Sequence, residues 1–187
     1  MIHRALGGLF AFLLLASPAF SAQRFPLPDW REHPDPDASR YAQPGGTLVF
    51  AGSNPPKSFN GYLDHNTFTM MVFAMMYPTL LSLDSTTLEY APGVADWWEI
   101  SDDKQLYTFH IDPRARWSDG TPITAEDVAA TFEAVTSPKS LTGPFQVLFT
   151  TLEKPYLIDS QTIAFPCKEV HWHNLNNLGI MYRELPR

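Results

Sequence analysis

The chain has 187 residues, with 13 Lys+Arg against 20 Asp+Glu and a formal net charge of −7. That deficit, with no Lys/Arg cluster, speaks against nucleic acid, whose binders need surplus cations to displace counterions from phosphate, and against anionic membrane surfaces. Hydrophobic residues at 44% and charged residues at 18% describe a globular chain of about one domain, while 17 prolines predict many loops and few long helices.

Met1 to Arg4 is positively charged, Ala5 to Ala16 is an unbroken apolar run, and Pro18 precedes the small residues Ala19, Ser21 and Ala22. This is the three-part pattern of a secretory signal peptide over 1–21, too short to span a bilayer, with cleavage after Ser21 or after Ala22. A lipoprotein would need a cysteine directly after the signal, and Cys167 is the single cysteine. A diffusible exported product with no internal disulfide is therefore expected, and Cys167 reads as a small buried residue. Residues 22–46, with five prolines from Pro26 to Pro44, read as an extended, solvated leader.

Gly45-Gly46 opens Thr47 to Ala51, a short β-rich run expected to be a buried strand, followed by a loop at Gly52 to Pro56. Phe68, Met71, Val72, Met75 and Met76 fall at helical spacing until Pro78, which predicts a helix with that stripe in the core. A Met-rich contact surface is the other reading of the same stripe. Leu80 to Leu83 and the segment around Leu88 read as extended, Pro92-Gly93 as a turn, and Val94 to Ile100 and Gln105 to Asp112 as extended segments. In the last of these Tyr107, Phe109 and Ile111 alternate with Leu106, Thr108 and His110. Asp119-Gly120 marks a turn. Thr124 to Asp127 forms a capping box ahead of a helix whose stripe is Val128, Phe132 and Val135, ended by Pro138. Leu152 to Ile158 and Thr162 to Phe165 form a hairpin, and a short helix is expected around Asn174 to Leu178. The fold class is α+β, mixed and strand-rich.

Motifs for a strained serine nucleophile, a phosphate loop or a paired-cysteine zinc site do not occur in the sequence. His171 and His173 would place two imidazoles on one side of a strand, short of the three or four ligands zinc normally takes. Glu126 and Asp127 are better explained by capping and the helix dipole than by acid–base chemistry. Trp98 and Trp117 read as core. No catalytic residue, metal or cofactor is expected, and the chain reads as a non-enzyme.

Three segments form one ordered pattern: Ala95 to Asp103, Tyr107 to Ile111, and Ala115 to Val128 with its Trp117-Ser118-Asp119-Gly120-Thr121-Pro122 core. This pattern resembles the signature of the extracytoplasmic solute-binding proteins of oligopeptide and dipeptide ABC importers, bacterial solute-binding protein family 5. Gly45 to Leu48, Tyr77 to Leu81 and Ile158 to Phe165 agree with it. The resemblance implies part of a three-domain periplasmic-binding-protein architecture (type II, class C-like) with the second lobe absent. Residues 47–58 would be a first-lobe strand and loop, 59–165 a smaller inserted α+β domain, and 166–187 a truncated return into the first lobe. It further implies a monomer that captures a peptide or peptide-like solute for the ABC permease subunits of the inner membrane, the peptide lying between lobes as an added strand. The loop after the opening strand faces ligand in the family, which points to Ser53, Asn54, Phe59, Asn60 and Tyr62. Lys57 to Asn60 departs from the family there, with Phe-Asn where many members carry Leu-Asp. An inert truncated fragment, or a secreted hydrolase using Glu126 or Asp127, are the alternative readings.

Overall fold

A computed structural model describes residues 22–31, 39, 41–43, 45–49, 51, 52, 55–181, 183 and 185. The expected signal peptide lies outside the described residues, as do Ser53 and Asn54. No helix among the described residues is long and apolar enough to cross a membrane.

The centre of the molecule is the aromatic alternation seen in the sequence. β4 (Ala95–Ser101) and β5 (Leu106–Ile111) pair antiparallel, Trp98 opposite Phe109 and Ile100 opposite Tyr107. Their turn is held by Asp103, whose carboxylate accepts from the Ser101 hydroxyl and the Gln105 amide, with Lys104 at φ 57. β7 (Thr162–Pro166) adds beside β5, and β6 (Tyr156–Leu157) beside β7, so the expected hairpin forms. Because side chains alternate across a strand, Tyr107, Phe109, Ile111, Ile163 and Phe165 share one face and are buried there.

α2 (Ala125–Thr136) covers that face. Its capping box is complete: the Asp127 carboxylate accepts from the Thr124 amide at 2.8 Å and the Thr124 hydroxyl at 2.9 Å. Val128, Phe132 and Val135 are buried as their spacing predicts, and Phe132 meets Phe165 at 5.7 Å between ring centres. Two residues before Pro138 the helix stops. Ahead of it, Asp119 accepts from the amide and hydroxyl of Thr121, and Gly120 takes φ +88, a conformation that favours glycine.

A fifth strand departs from expectation. β1 (Ala22–Phe25) lies on the outer edge of β4, giving the antiparallel order β1-β4-β5-β7-β6. The start of the supposedly solvated leader is thus part of the sheet. Arg24 pairs with Glu99 and lies 4.0 Å above the Trp97 ring, while Phe25 stacks on Trp98 at 5.7 Å. These partners are some 75 residues away in sequence, so no local pattern announces them.

The expected strand at Thr47 to Ala51 also differs. Residues 45–49 are in no described ladder, and Leu48 and Val49 are 76% and 85% exposed. A β-rich run becomes a strand only where another strand satisfies its backbone, and the described residues bring none to it.

α1 (Thr67–Met76) forms where expected, with Asn66 as N-cap, yet turns a different face inward. Thr69 and Phe73 are buried, whereas Met75 and Met76 are 63% and 61% exposed. The core stripe expected from Phe68 to Met76 is corrected accordingly. This helix is apolar nearly all round, so spacing alone leaves several faces eligible, and Thr69 decides by bonding to the Asp64 carboxylate and the Ser58 carbonyl. A small hairpin of β2 (Leu81–Leu83) and β3 (Tyr90–Pro92) follows. α3 (Gly143–Leu148), which no sequence pattern announced, packs Phe145 inward, and α4 (Asn174–Asn176) continues into one π-helical turn at Asn177–Met181. The molecule is α+β and strand-rich, as the sequence predicts.

Candidate functional site

The loop leading into α1 is tied by one carboxylate. Asp64 Oδ2 accepts from the Lys57 amide at 2.8 Å and the Thr69 hydroxyl at 3.0 Å, while Oδ1 accepts from the Asn66 amide at 3.1 Å. The Asn66 amide is the largest cause of a carboxyl pKa below the ordinary 3.8, with further donation from Lys57, Thr69 and Ser58 outweighing partial desolvation. Asp64 lies outside every motif read from the sequence. Its signal was the Asp-x-Asn spacing just before a helix start, where short polar side chains bond to backbone two residues on.

Three of the five expected ligand residues are described. Phe59 is 55% exposed at the tip of the loop. Asn60 is half-buried and accepts from the Tyr62 amide at 3.0 Å through Oδ1, which fixes the orientation of its side chain. Tyr62 is a brace: it is 2% exposed, meets Phe73 and Phe145 edge-on at 5.2 and 4.8 Å, donates to the Arg183 carbonyl at 2.8 Å and accepts from the Arg183 amide at 2.9 Å. Its burial restricts ligand contact to the part of the ring that borders a cavity. Asn60 and Tyr62 do line one cavity, of about 330 Å³, together with Leu63, Val135, Leu141 and Leu185. His65, Asn66, Phe68 and Met71 line a separate cavity of about 410 Å³ with Gly52. The segment that carries the exposed Phe59 thus contributes residues to two cavities.

A larger groove, about 1020 Å³, runs between α2, α3 and the β6 edge, walled by Phe132, Phe149 and Leu157 and rimmed by Glu133, Glu153 and Lys168. None of the three described candidates, Phe59, Asn60 and Tyr62, lines it.

The other candidate chemistry resolves into scaffold. Asp127 is 4% exposed in its capping box. His171 to His173 form a turn before α4 rather than a strand, with the His173 amide donating to His171 Nδ1, which corrects the expected geometry. Among the described residues no group of three or more His, Cys, Asp or Glu side chains is arranged to hold a metal ion. Cys167 is buried, its thiol pushed up to about 11 by that burial against a bond from Asn174. A thiol so poor in thiolate is not a nucleophile near neutral pH.

The model of the bacterial extracellular solute-binding proteins, family 5 Middle, matches residues 89–186. The chain belongs to this family. The match takes in β7 and also β4, β5, the Asp119 turn and the start of α2, which hold the three signature segments, whose Trp98, Phe109, Ile111 and Val128 are buried. This family 5 chain is 31% identical over 94 residues to the dipeptide-binding protein of Escherichia coli K12, covering 46% of this chain and 18% of that protein. It is 44% identical over 50 residues to the periplasmic oligopeptide-binding protein OppA of Salmonella typhimurium LT2, covering 27% and 9%. The solved structure of the PBP AgaA from A. tumefaciens R10, in complex with agropinic acid, superposes with TM-score 0.64 at 22% identity, covering 71% of this chain and 26% of that one. The chain therefore spans less than a fifth of the curated relatives named here, and its family 5 fold corresponds to part of theirs.

Proposed function

We propose that this protein is the periplasmic substrate-binding component of an ABC importer, exported through a cleaved signal peptide. It captures an oligopeptide-like solute and delivers it to an inner-membrane permease. The observation that carries the reading is the family match across the signature that builds the central sheet and its capped helix, together with relatives named for dipeptides and oligopeptides. On this reading residues 59–165 form the smaller inserted domain, and 47–58 and 166–187 belong to the first lobe.

The contact set is Ser53, Asn54, Phe59, Asn60 and Tyr62. Phe59 offers an exposed ring for an apolar side chain, and Asn60 lies on a cavity whose remaining walls are largely apolar. Tyr62 contributes an edge of its ring and otherwise holds the loop in place. Pockets of this kind give modest specificity, and an extended peptide gains most of its affinity from main-chain hydrogen bonds. A peptide is favoured over agropinic acid because that complex belongs to a 22% identical structure, which carries the fold alone.

Calorimetry of the natural full-length protein against mixed di- to pentapeptides tests the reading: binding heat is expected, and its absence for every peptide overturns peptide capture. Phe59→Ala tests the site separately. Weaker peptide binding with an unchanged melting temperature is expected, and unchanged affinity removes Phe59 from it.

A further inference from the structure

After β1 the chain turns sharply: the Trp30 amide donates to the Leu27 carbonyl at 2.9 Å, and Pro26 and Pro28 restrict the backbone on either side of Leu27. This turn encloses, with the β3–β4 end of the sheet, a cavity of about 470 Å³. Phe25, Trp30, Tyr90 and Trp98 supply aromatic walls and Asp29 and Glu89 supply carboxylates. Phe25 and Trp98 stack at 5.7 Å with 13° between planes, forming a continuous aromatic surface. Arg31 also borders the cavity, but its Nη1 is turned to the carbonyls of Trp30, at 2.7 Å, and Pro28, at 3.3 Å.

We propose that this cavity is a second binding site, apart from the loop around Asn60, and that it takes a small organic monocation of the alkylammonium class, such as a quaternary ammonium group. Three features select that class. Aromatic faces carry negative quadrupole potential and attract cations, most strongly when indoles are present. A quaternary ammonium has no N–H to satisfy, so walls of carbon suit it where a strongly hydrogen-bonding ligand would lose its partners. Two carboxylates from separate segments, Asp29 on the turn and Glu89 beside β3, add attraction of the right sign, while the bonds of Arg31 direct that cation to its own turn. The volume lies within the roughly 300–1,000 Å³ of small-molecule sites. The site stands independently of peptide import, since six of its nine lining residues come from residues 25–31, outside the 89–186 match.

The test uses the whole chain and its tryptophan indole N–H resonances, titrated with tetramethylammonium chloride, with tert-butanol as neutral counterpart and sodium chloride as salt control. Saturable shifts of the Trp30 and Trp98 resonances are expected for tetramethylammonium only, with a dissociation constant on the order of 1 mM. Trp30→Ala should abolish the response at Trp98. Glu89→Gln should weaken binding about tenfold at unchanged melting temperature, which keeps the test decisive should the tryptophan variant fail to fold. Equal response to tert-butanol, response to sodium chloride alone, or no response would each overturn the proposal. None of these results depends on whether peptides bind.

Discussion

Asp64 shows how much of a loop one side chain can determine. Its two oxygens gather amides from Lys57 and Asn66 and the Thr69 hydroxyl, so the loop entering α1 is held most firmly while that carboxylate is charged. Its folded pKa is lowered from 3.8. The contribution to stability is therefore present above the unfolded value and is lost as pH falls through the folded value. Acid titration followed by NMR should show the Lys57 and Asn66 amides moving together below about pH 4, and Asp64→Asn should remove that transition. Gly61 is fixed by a different constraint. A Cβ there would come within 2.3 Å of the Phe73 ring, so Gly61→Ala is expected to destabilise by about 1–3 kcal/mol in chemical denaturation. At Asp127 the loss is of a cap: Asp127→Ala should cost about 1–2 kcal/mol by the same measurement. Cys167, buried with its thiol pushed up to about 11, should resist thiol reagents at pH 8 in the folded chain and react at once in denaturant.

At the level of elements, what could be read from sequence was what the chain decides locally. The alternation of Tyr107, Phe109 and Ile111 and the Thr124–Asp127 box are complete within six or fewer residues, and the structure uses them as read. β1 could not be read, because Ala-Gln-Arg-Phe becomes a strand only through Glu99, Trp97 and Trp98 on a distant segment. The inward face of α1 was hidden for the opposite reason, an excess of apolar residues, and was settled by the polar Thr69. The candidate loop divides in the same way. Family resemblance pointed to Phe59, Asn60 and Tyr62, while the carboxylate that shapes their loop and the aromatic brace that buries Tyr62 depend on tertiary contacts to α1, α3 and Arg183. The Arg183 guanidinium bonds to the Ala74 and Tyr77 carbonyls at the end of α1. Arg183→Ala should therefore loosen that helix end, seen as faster hydrogen exchange there with α2 unaffected.

For the molecule as a whole, two long-range pairings, β1 with β4 and β5 with β7, join local hairpins into one sheet. The five-stranded sheet joins residues from 22 to 166, and its order β1-β4-β5-β7-β6 places the first described strand at one edge. Such topologies fold slowly because distant ends must meet before their contacts stabilise anything. β1 is held chiefly through Arg24 and Phe25, so Arg24→Ala is expected to speed unfolding and leave the refolding rate unchanged, the signature of an element that docks after the rate-limiting step. Stopped-flow measurements that found refolding slowed in proportion would place β1 in the nucleus instead.

The position of β1 has a further consequence during synthesis. Arg24 leaves the ribosome 75 residues ahead of the Glu99 it pairs with, an interval on the order of 10 s at ordinary elongation rates of roughly 5–20 residues per second. Throughout that interval the leading strand has backbone donors and acceptors but no ladder to join. Any factor that handles the nascent chain meets this segment as open polypeptide, and the aromatic walls around Trp30 and Trp98 come into being only once β4 has followed.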